Sequence, residues 1–144
     1  MVNANSDNPI VGRMFQELST VLLSEYYNKP FSADIAILIG EPAKQHKFDC
    51  VSEDKQYVAE CKCYRWTEAG NIPSAKVAAI NEAVLYMLFL PAETVKIIIM
   101  EKATHVKKNE TLAEYYVRTY RHLLKGIKVL EIDTNNKTIR AIKD

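Results

Sequence analysis

The chain lacks the features that would set it outside the ordinary globular class. No apolar run in its 144 residues approaches the length of a membrane span. The opening stretch, residues 1–7, has neither the basic nor the apolar region of a secretory leader. The expected address is therefore the cytoplasm, with no membrane contact. Cysteine is scarce and odd in number, at Cys50, Cys61 and Cys63 only, which argues against a disulfide framework. Glycine (four) and proline (five) mark no linker, and no repeat or low-complexity tract interrupts the chain. Charge of one sign is missing too: a formal net charge of +1 excludes a broad electrostatic attraction to nucleic acid.

What is present fits one domain over residues 1–144. About half the residues are apolar and about a quarter charged, enough to bury a proper core. The even balance hides an asymmetry. Residues 1–60 carry nine acids against five bases, whereas Lys102, Lys107, Lys108, Arg118, Arg121, Lys125 and Lys128 face only Glu110 and Glu114 over residues 102–128. Such a stretch suits phosphates, and a solvated helix face explains it as well. Zinc is a weaker reading. Cys61 and Cys63 have His46 and Cys50 nearby, but the pair lies inside an apolar run instead of on a zinc-binding turn. Small buried thiols fit better.

Periodicity orders the elements. Ile10, Val11, Met14, Phe15, Leu18, Val21, Leu22 and Leu23 predict a helix over 9–27, with Asn8-Pro9 as cap and first-turn proline and Asn28-Lys29-Pro30 as its stop. Residues 33–39 read as a strand, with a short helix as the alternative. Residues 47–52 and 56–63 read as a hairpin around Glu53-Asp54-Lys55. A polar loop over 64–71 holds Trp66, and Ile72-Pro73-Ser74 opens a long helix to about residue 90. The β-branched run 95–100 marks a central strand covered on both faces. A second long helix is predicted over 109–125, capped by Asn109 and ended by Gly126. Strands 128–132 and 137–142 close the chain around Asn135-Asn136. This order indicates an α/β fold, a sheet flanked by helices.

The hairpin carries the chemistry. If Asp54-Lys55 is a two-residue turn, Glu53 faces Gln56 and Asp49 lies across from Glu60, with Cβ atoms roughly 5 Å apart. Alternation puts Asp49, Glu60 and Lys62 on one face and sends Cys61 and Cys63 to the other. Opposed carboxylates repel, and a divalent cation offsets that cost. Mg²⁺ takes a few carboxylate oxygens and keeps positions for water and phosphate, and the Cys61 backbone carbonyl is a natural further ligand. Lys62 then stands beside the attacking water and the charge that develops on phosphate. A surface hairpin with a weak Glu60–Lys62 ion pair is the plain alternative.

With these residues in place the chain resembles the PD-(D/E)xK superfamily of nucleases, which have the restriction-endonuclease-like fold. The resemblance spans residues 17–100 and rests on His46-Lys47-Phe48-Asp49 and Ala59-Glu60-Cys61-Lys62, with Glu17 matching an acid often found on the first helix. Phe48 stands where a proline often precedes the first acid. The resemblance implies an αβββαβ core with a central mixed sheet, here extended by a C-terminal helix and strands. It also implies Mg²⁺ dependence, with Mn²⁺ as substitute, and phosphodiester hydrolysis in which Glu17 assists Asp49, Glu60 and Lys62. Residues 60–86 look most like bacterial restriction-type members, which implies a homodimer on duplex DNA with a companion methyltransferase. A structure-selective repair or Holliday-junction nuclease, or a non-catalytic DNA-binding or assembly module, are the alternatives.

Further residues admit two readings each. Lys76, one turn into the helix after the Glu-x-Lys strand, is placed to meet a phosphate or to be solvated. Arg65 and Trp66 suit a nucleic-acid clamp or loop packing. Arg118 and Arg121 interleave with Tyr115, Tyr116 and Tyr120 as a DNA or subunit face, or as the outside of a core helix. Asn81 and Glu82 support the site or solvate their helix. His46 is read as a structural imidazole on the other face of the hairpin, or as a ligand, base or supporting group of the site.

Overall fold

Asn8 opens the first helix as its place before Pro9 predicts: its side chain accepts from the Ile10 N–H at 3.0 Å, and α1 runs Pro9–Tyr27. Asn28, left-handed at φ 52°, closes it. The computed structural model describes residues 8–144; residues 1–7, read above for a leader, lie outside the described residues. The strands are β1 (Phe31–Ile39), β2 (Lys44–Ser52), β3 (Tyr57–Lys62), β4 (Val95–Glu101), β5 (Ile127–Asp133) and β6 (Thr138–Lys143). Two further helices, α2 (Ser74–Met87) and α3 (Leu112–Tyr120), are inserted between them. No helix among the described residues is long and apolar enough to cross a membrane.

The strands form one six-stranded mixed sheet in chain order. β1, β2 and β3 run antiparallel, β3, β4 and β5 run parallel, and β6 returns antiparallel on β5. Parallel neighbours need crossover connections, and α2 and α3 supply them. Helix α1 covers one face with Phe15, Leu22 and Leu23 against Cys50, Ala59, Ile97 and Ile99. Helices α2 and α3 cover the other, where Val77, Ile80, Met87, Leu112 and Tyr116 meet Phe48, Val58, Ile98 and Met100. Ile97, Ile98, Ile99 and Met100 are fully buried, and each contributes about 1.5–3 kcal/mol of transfer free energy.

Strand β1 begins two residues and β2 three residues earlier than expected, α2 ends about three earlier, and two further boundaries differ for a local reason. The predicted helix 109–125 is the shorter α3 followed by a single 3-10 turn, Arg121–Leu123. Its cap is Thr111, not Asn109: the Thr111 hydroxyl accepts from the Glu114 N–H at 3.2 Å and Glu114 Oε1 accepts from the Thr111 N–H at 2.8 Å. This reciprocal box is readable as Thr-x-x-Glu. The hairpin loop is four residues, Glu53 to Gln56, because Lys55 is left-handed (φ 59°) and its N–H returns to the Ser52 carbonyl. An even loop length keeps the register, so Cys50 still faces Ala59 and Val51 faces Val58.

Side-chain alternation breaks once, next to the candidate site. Phe31 and Cys50 pack on the α1 face, whereas Ile35, Ile37, Ile39 and Phe48 pack on the α2 and α3 face. Strict alternation would put Phe31 and Ile35 on the same side. The pairs Ala33↔Cys50 and Ile35↔Phe48 flank the break, and between them Asp34 is left-handed at φ 56°. That conformation costs a non-glycine residue about 1–2 kcal/mol. Gln16 on α1 offsets it, its amide donating to Asp34 Oδ1 at 3.0 Å and to the Asp49 carbonyl at 2.9 Å.

Candidate active site

Strands β2 and β3 part at Asp49. The ladder between them ends at Cys50↔Ala59, while β2 stays paired with β1 as far as Lys44 and β3 with β4 as far as Lys62. Side chains replace the missing ladder. Asp49 Oδ2 accepts from the Cys61 N–H at 2.8 Å, and Glu60 Oε1 accepts from the Asp49 N–H at 3.3 Å. The two carboxyl groups are close enough for the Asp49 charge to act on Glu60. In extended backbone the N–H and C=O of one residue leave the strand on the same edge, so the Cys61 carbonyl opens toward Asp49.

Glu60 is the residue under electrostatic load. It is only 8% exposed, and burial, then the Asp49 charge, push its carboxyl up to about 8 while Lys62 pulls it down. Asp49, Glu60 and Lys62 thus form one interacting group on the open side of the fork. Lys62 lies 5.9 Å from the centre of the Tyr64 ring, and Lys76, from the first turn of α2, lies 5.5 Å from the same centre.

His46 is not on the far face of the hairpin. The break at Asp34 and Asp49 turns it onto the α2 side, where its Nε2 is 4.0 Å from Glu60 Oε1. Its ring stacks on Tyr86 at 4.0 Å and 14° and meets Phe48 edge-on at 4.6 Å. Burial lowers its pKa, opposed by the charges of Asp49 and Glu82. The Cys50 and Cys61 thiols lie 3.6 Å apart on the α1 face, so the sheet separates them from His46. All three cysteines are free, and no group of three or more His, Cys, Asp and Glu side chains is arranged to hold a metal among the described residues. A cation here would rest on two carboxylates, a carbonyl, water and phosphate, a donor set of hard oxygens that suits Mg²⁺ or Mn²⁺.

The remaining residues fall into three places. Glu17 is exposed and lines a cleft of about 550 Å³ with Leu18, Cys63, Glu101 and Lys137; its neighbour Gln16 is the α1 residue that reaches Asp49. Asn81 accepts from the Tyr116 hydroxyl at 2.8 Å and ties α2 to α3, while Glu82 is exposed and faces His46. Several residues read as DNA contacts are held by the fold. Arg65 donates to Glu101 at 2.7 Å, Trp66 donates to the Ala103 carbonyl at 2.8 Å and packs on His105 and Tyr115, and Arg118 makes two bonds to Glu110. Arg121 stands exposed on the 3-10 turn. Tyr116 is fully buried, with Tyr115 and Tyr120 packed against the core. Lys102 and Lys128 pair with Asp133 and Asp144, so much of the basic stretch is neutralised internally.

The sequence reading missed Gln16, Asp34 and Tyr86. Asp34 had a signal, a single acid inside the apolar run Ala33-Asp34-Ile35-Ala36-Ile37; Gln16 and Tyr86 had none, because their partners are remote in sequence. Compared with known family models, with curated proteins and with solved structures, the chain matches none.

Proposed function

We propose that this chain is a Mg²⁺-dependent endonuclease that hydrolyses DNA phosphodiester bonds on a restriction-endonuclease-like core. The observation that carries the reading is the cross-bonded Asp49–Glu60 pair at the fork of β2 and β3, with Lys62 on the same face. The order α1, β1, β2, β3, α2, β4, with β3 and β4 parallel, supports the αβββαβ core that the resemblance implies. The raised carboxyl of Glu60 supports cation binding, because a divalent ion would offset the Asp49 charge and let Glu60 ionise.

Asp49, Glu60 and the Cys61 carbonyl would hold Mg²⁺, with Mn²⁺ as substitute, and the ion would supply Lewis acidity toward a phosphate oxygen and an acidified water. The chain's own residues do the rest. Lys62 orients the attacking water and offsets negative charge that builds on the phosphate. The Cys61 N–H fixes one oxygen of Asp49 and so aims the other. Gln16 holds the Asp49 backbone, and His46 covers one side of Glu60. One such site cuts one strand, so cleavage of both strands of a duplex favours a two-fold homodimer.

A plasmid-nicking assay in Mg²⁺ or Mn²⁺ tests this. Wild-type protein is expected to nick supercoiled DNA, with Asp49→Ala and Lys62→Ala slower by at least about 100-fold. Failure of every metal, or variants that cut like wild type, would overturn it. Linear and branched oligonucleotides then separate the restriction type, which cuts one sequence in plain duplex, from a junction nuclease, which cuts only at branches.

A further inference from the structure

The sheet face turned away from His46 carries two thiols that the proposed cleavage does not use. Cys50 Sγ and Cys61 Sγ lie 3.6 Å apart, and the Thr20 hydroxyl stands 3.3 Å from Cys50 Sγ. Both residues flank the fork in the sheet. Cys50 follows Asp49, and Cys61 stands between Glu60 and Lys62 with its N–H on Asp49 Oδ2. The β2–β3 ladder ends at Cys50↔Ala59, so Cys61 is the diagonal neighbour of Cys50, just beyond the last paired residues. Diagonal neighbours in a regular sheet have Cα atoms about 7–8 Å apart, and a disulfide asks for less than about 7 Å. Joining these sulfurs therefore draws the two strands together where the ladder has already ended. The backbone that moves is the backbone that carries Asp49 and Glu60.

We propose that Cys50 and Cys61 are an oxidation site, where a hydroperoxide makes a reversible disulfide that displaces Asp49 and Glu60 and slows cutting. The bridge itself does not depend on the nuclease reading, whereas its effect on cutting rests on it. Cys61, the less buried of the two, attacks the peroxide. Its S–O bond forms as the O–O bond breaks, the thiol proton passes to the departing oxygen, and water or an alcohol leaves. Cys50 Sγ then attacks the Cys61 sulfur, the S–O bond breaks, and the hydroxyl leaves as water with the Cys50 proton. Two thiols lose two electrons and one peroxide gains them. The Cys50 hydrogen bond, then burial, push the Cys61 thiol up, so the first step is slow and favours a small oxidant. A disulfide closed over a stretched span is easily reduced, so a thiol reductant reverses the change.

Full-length protein is treated with hydrogen peroxide, remaining thiols are blocked by alkylation, and its peptides are mapped without reduction. The expected product is a peptide pair joined through Cys50 and Cys61 that dithiothreitol separates. Cys63→Ala is expected to form the same bridge and Cys50→Ala to form none. In Mg²⁺ the bridged protein is expected to nick supercoiled DNA at least about tenfold more slowly than the reduced one. Dithiothreitol should restore the rate, and Cys50→Ala should keep its rate through the peroxide treatment. A bridge through Cys63, oxidation confined to Cys63, or a Cys50 and Cys61 pair that stays reduced would overturn the site. A bridged protein that cuts like the reduced one would overturn its effect on Asp49 and Glu60. If neither form cuts DNA in any metal, it is the nuclease reading that fails, and the peptide map alone decides the bridge.

Discussion

At 8% exposure Glu60 sits where a lone carboxylate is disfavoured, and Asp49 is its immediate neighbour. Its carboxyl is raised from 4.5 to about 8 by burial first and Asp49 second. The folded protein then holds a proton that the unfolded chain releases, so the metal-free protein is most stable below about pH 4.5 with respect to this group. That stability is lost as pH rises toward 8. Thermal melts without metal should show Tm falling between pH 5 and 8.5, with the decline flattened in Glu60→Gln. At pH 8 this variant should be more stable than wild type by at least about 1 kcal/mol, or roughly 3 °C at this chain length. Mg²⁺ should raise the wild-type Tm more at pH 8 than at pH 6. An identical pH profile in wild type and Glu60→Gln would remove Glu60 from this role. The common face of Glu60 and Lys62 was legible in the sequence because period-two alternation is local, whereas Asp49 reaches them where the β2–β3 ladder ends. His46 was misplaced because the Asp34 kink, which turns it, is set by Gln16 on a remote helix.

Strands and helices depend on their own local devices. The kink in β1 uses a left-handed Asp34 tied to Gln16. Asp34→Gly relieves the strain but loses that bond, so its stability should stay within about 1 kcal/mol of wild type. Asp34→Val places a β-branched residue at positive φ and should cost more than about 2 kcal/mol in urea denaturation. Equal stability of the two variants would show that β1 does not need the kink. At α3, Thr111→Ala should cost about 1 kcal/mol and Asn109→Ala close to nothing. The reverse order would restore Asn109 as the cap. Element types were readable because the apolar periods are strong. The start of α3 was misread because Asn109 looked sufficient, although the Thr111 and Glu114 pair three residues apart held the stronger signal.

For the whole molecule, a net charge of +1 and a basic stretch partly paired with Asp133, Asp144 and Glu110 leave little long-range field. DNA binding should therefore depend on a few local contacts, with a shallow salt slope of about −2 to −3. A slope steeper than about −5 in fluorescence anisotropy would mean that a larger basic surface engages the duplex than a few local contacts provide.

The sequence by itself determined the order of helices and strands, the covered central strand over 95–100 and the common face of Glu60 and Lys62. These follow from period-two and period-3.6 patterning, which acts between residues close in the chain. Tertiary structure decided what depends on remote partners. Gln16 braces the Asp49 backbone, and the parting of β2 from β3 hands backbone hydrogen bonds to two carboxylates. Arg65, Trp66 and Arg118 spend their donors within the fold, while Lys62 and Lys76, from different elements, both lie near the Tyr64 ring. A buried polar group must find its partner wherever the fold brings one, and spacing along the chain does not reveal which partner that is.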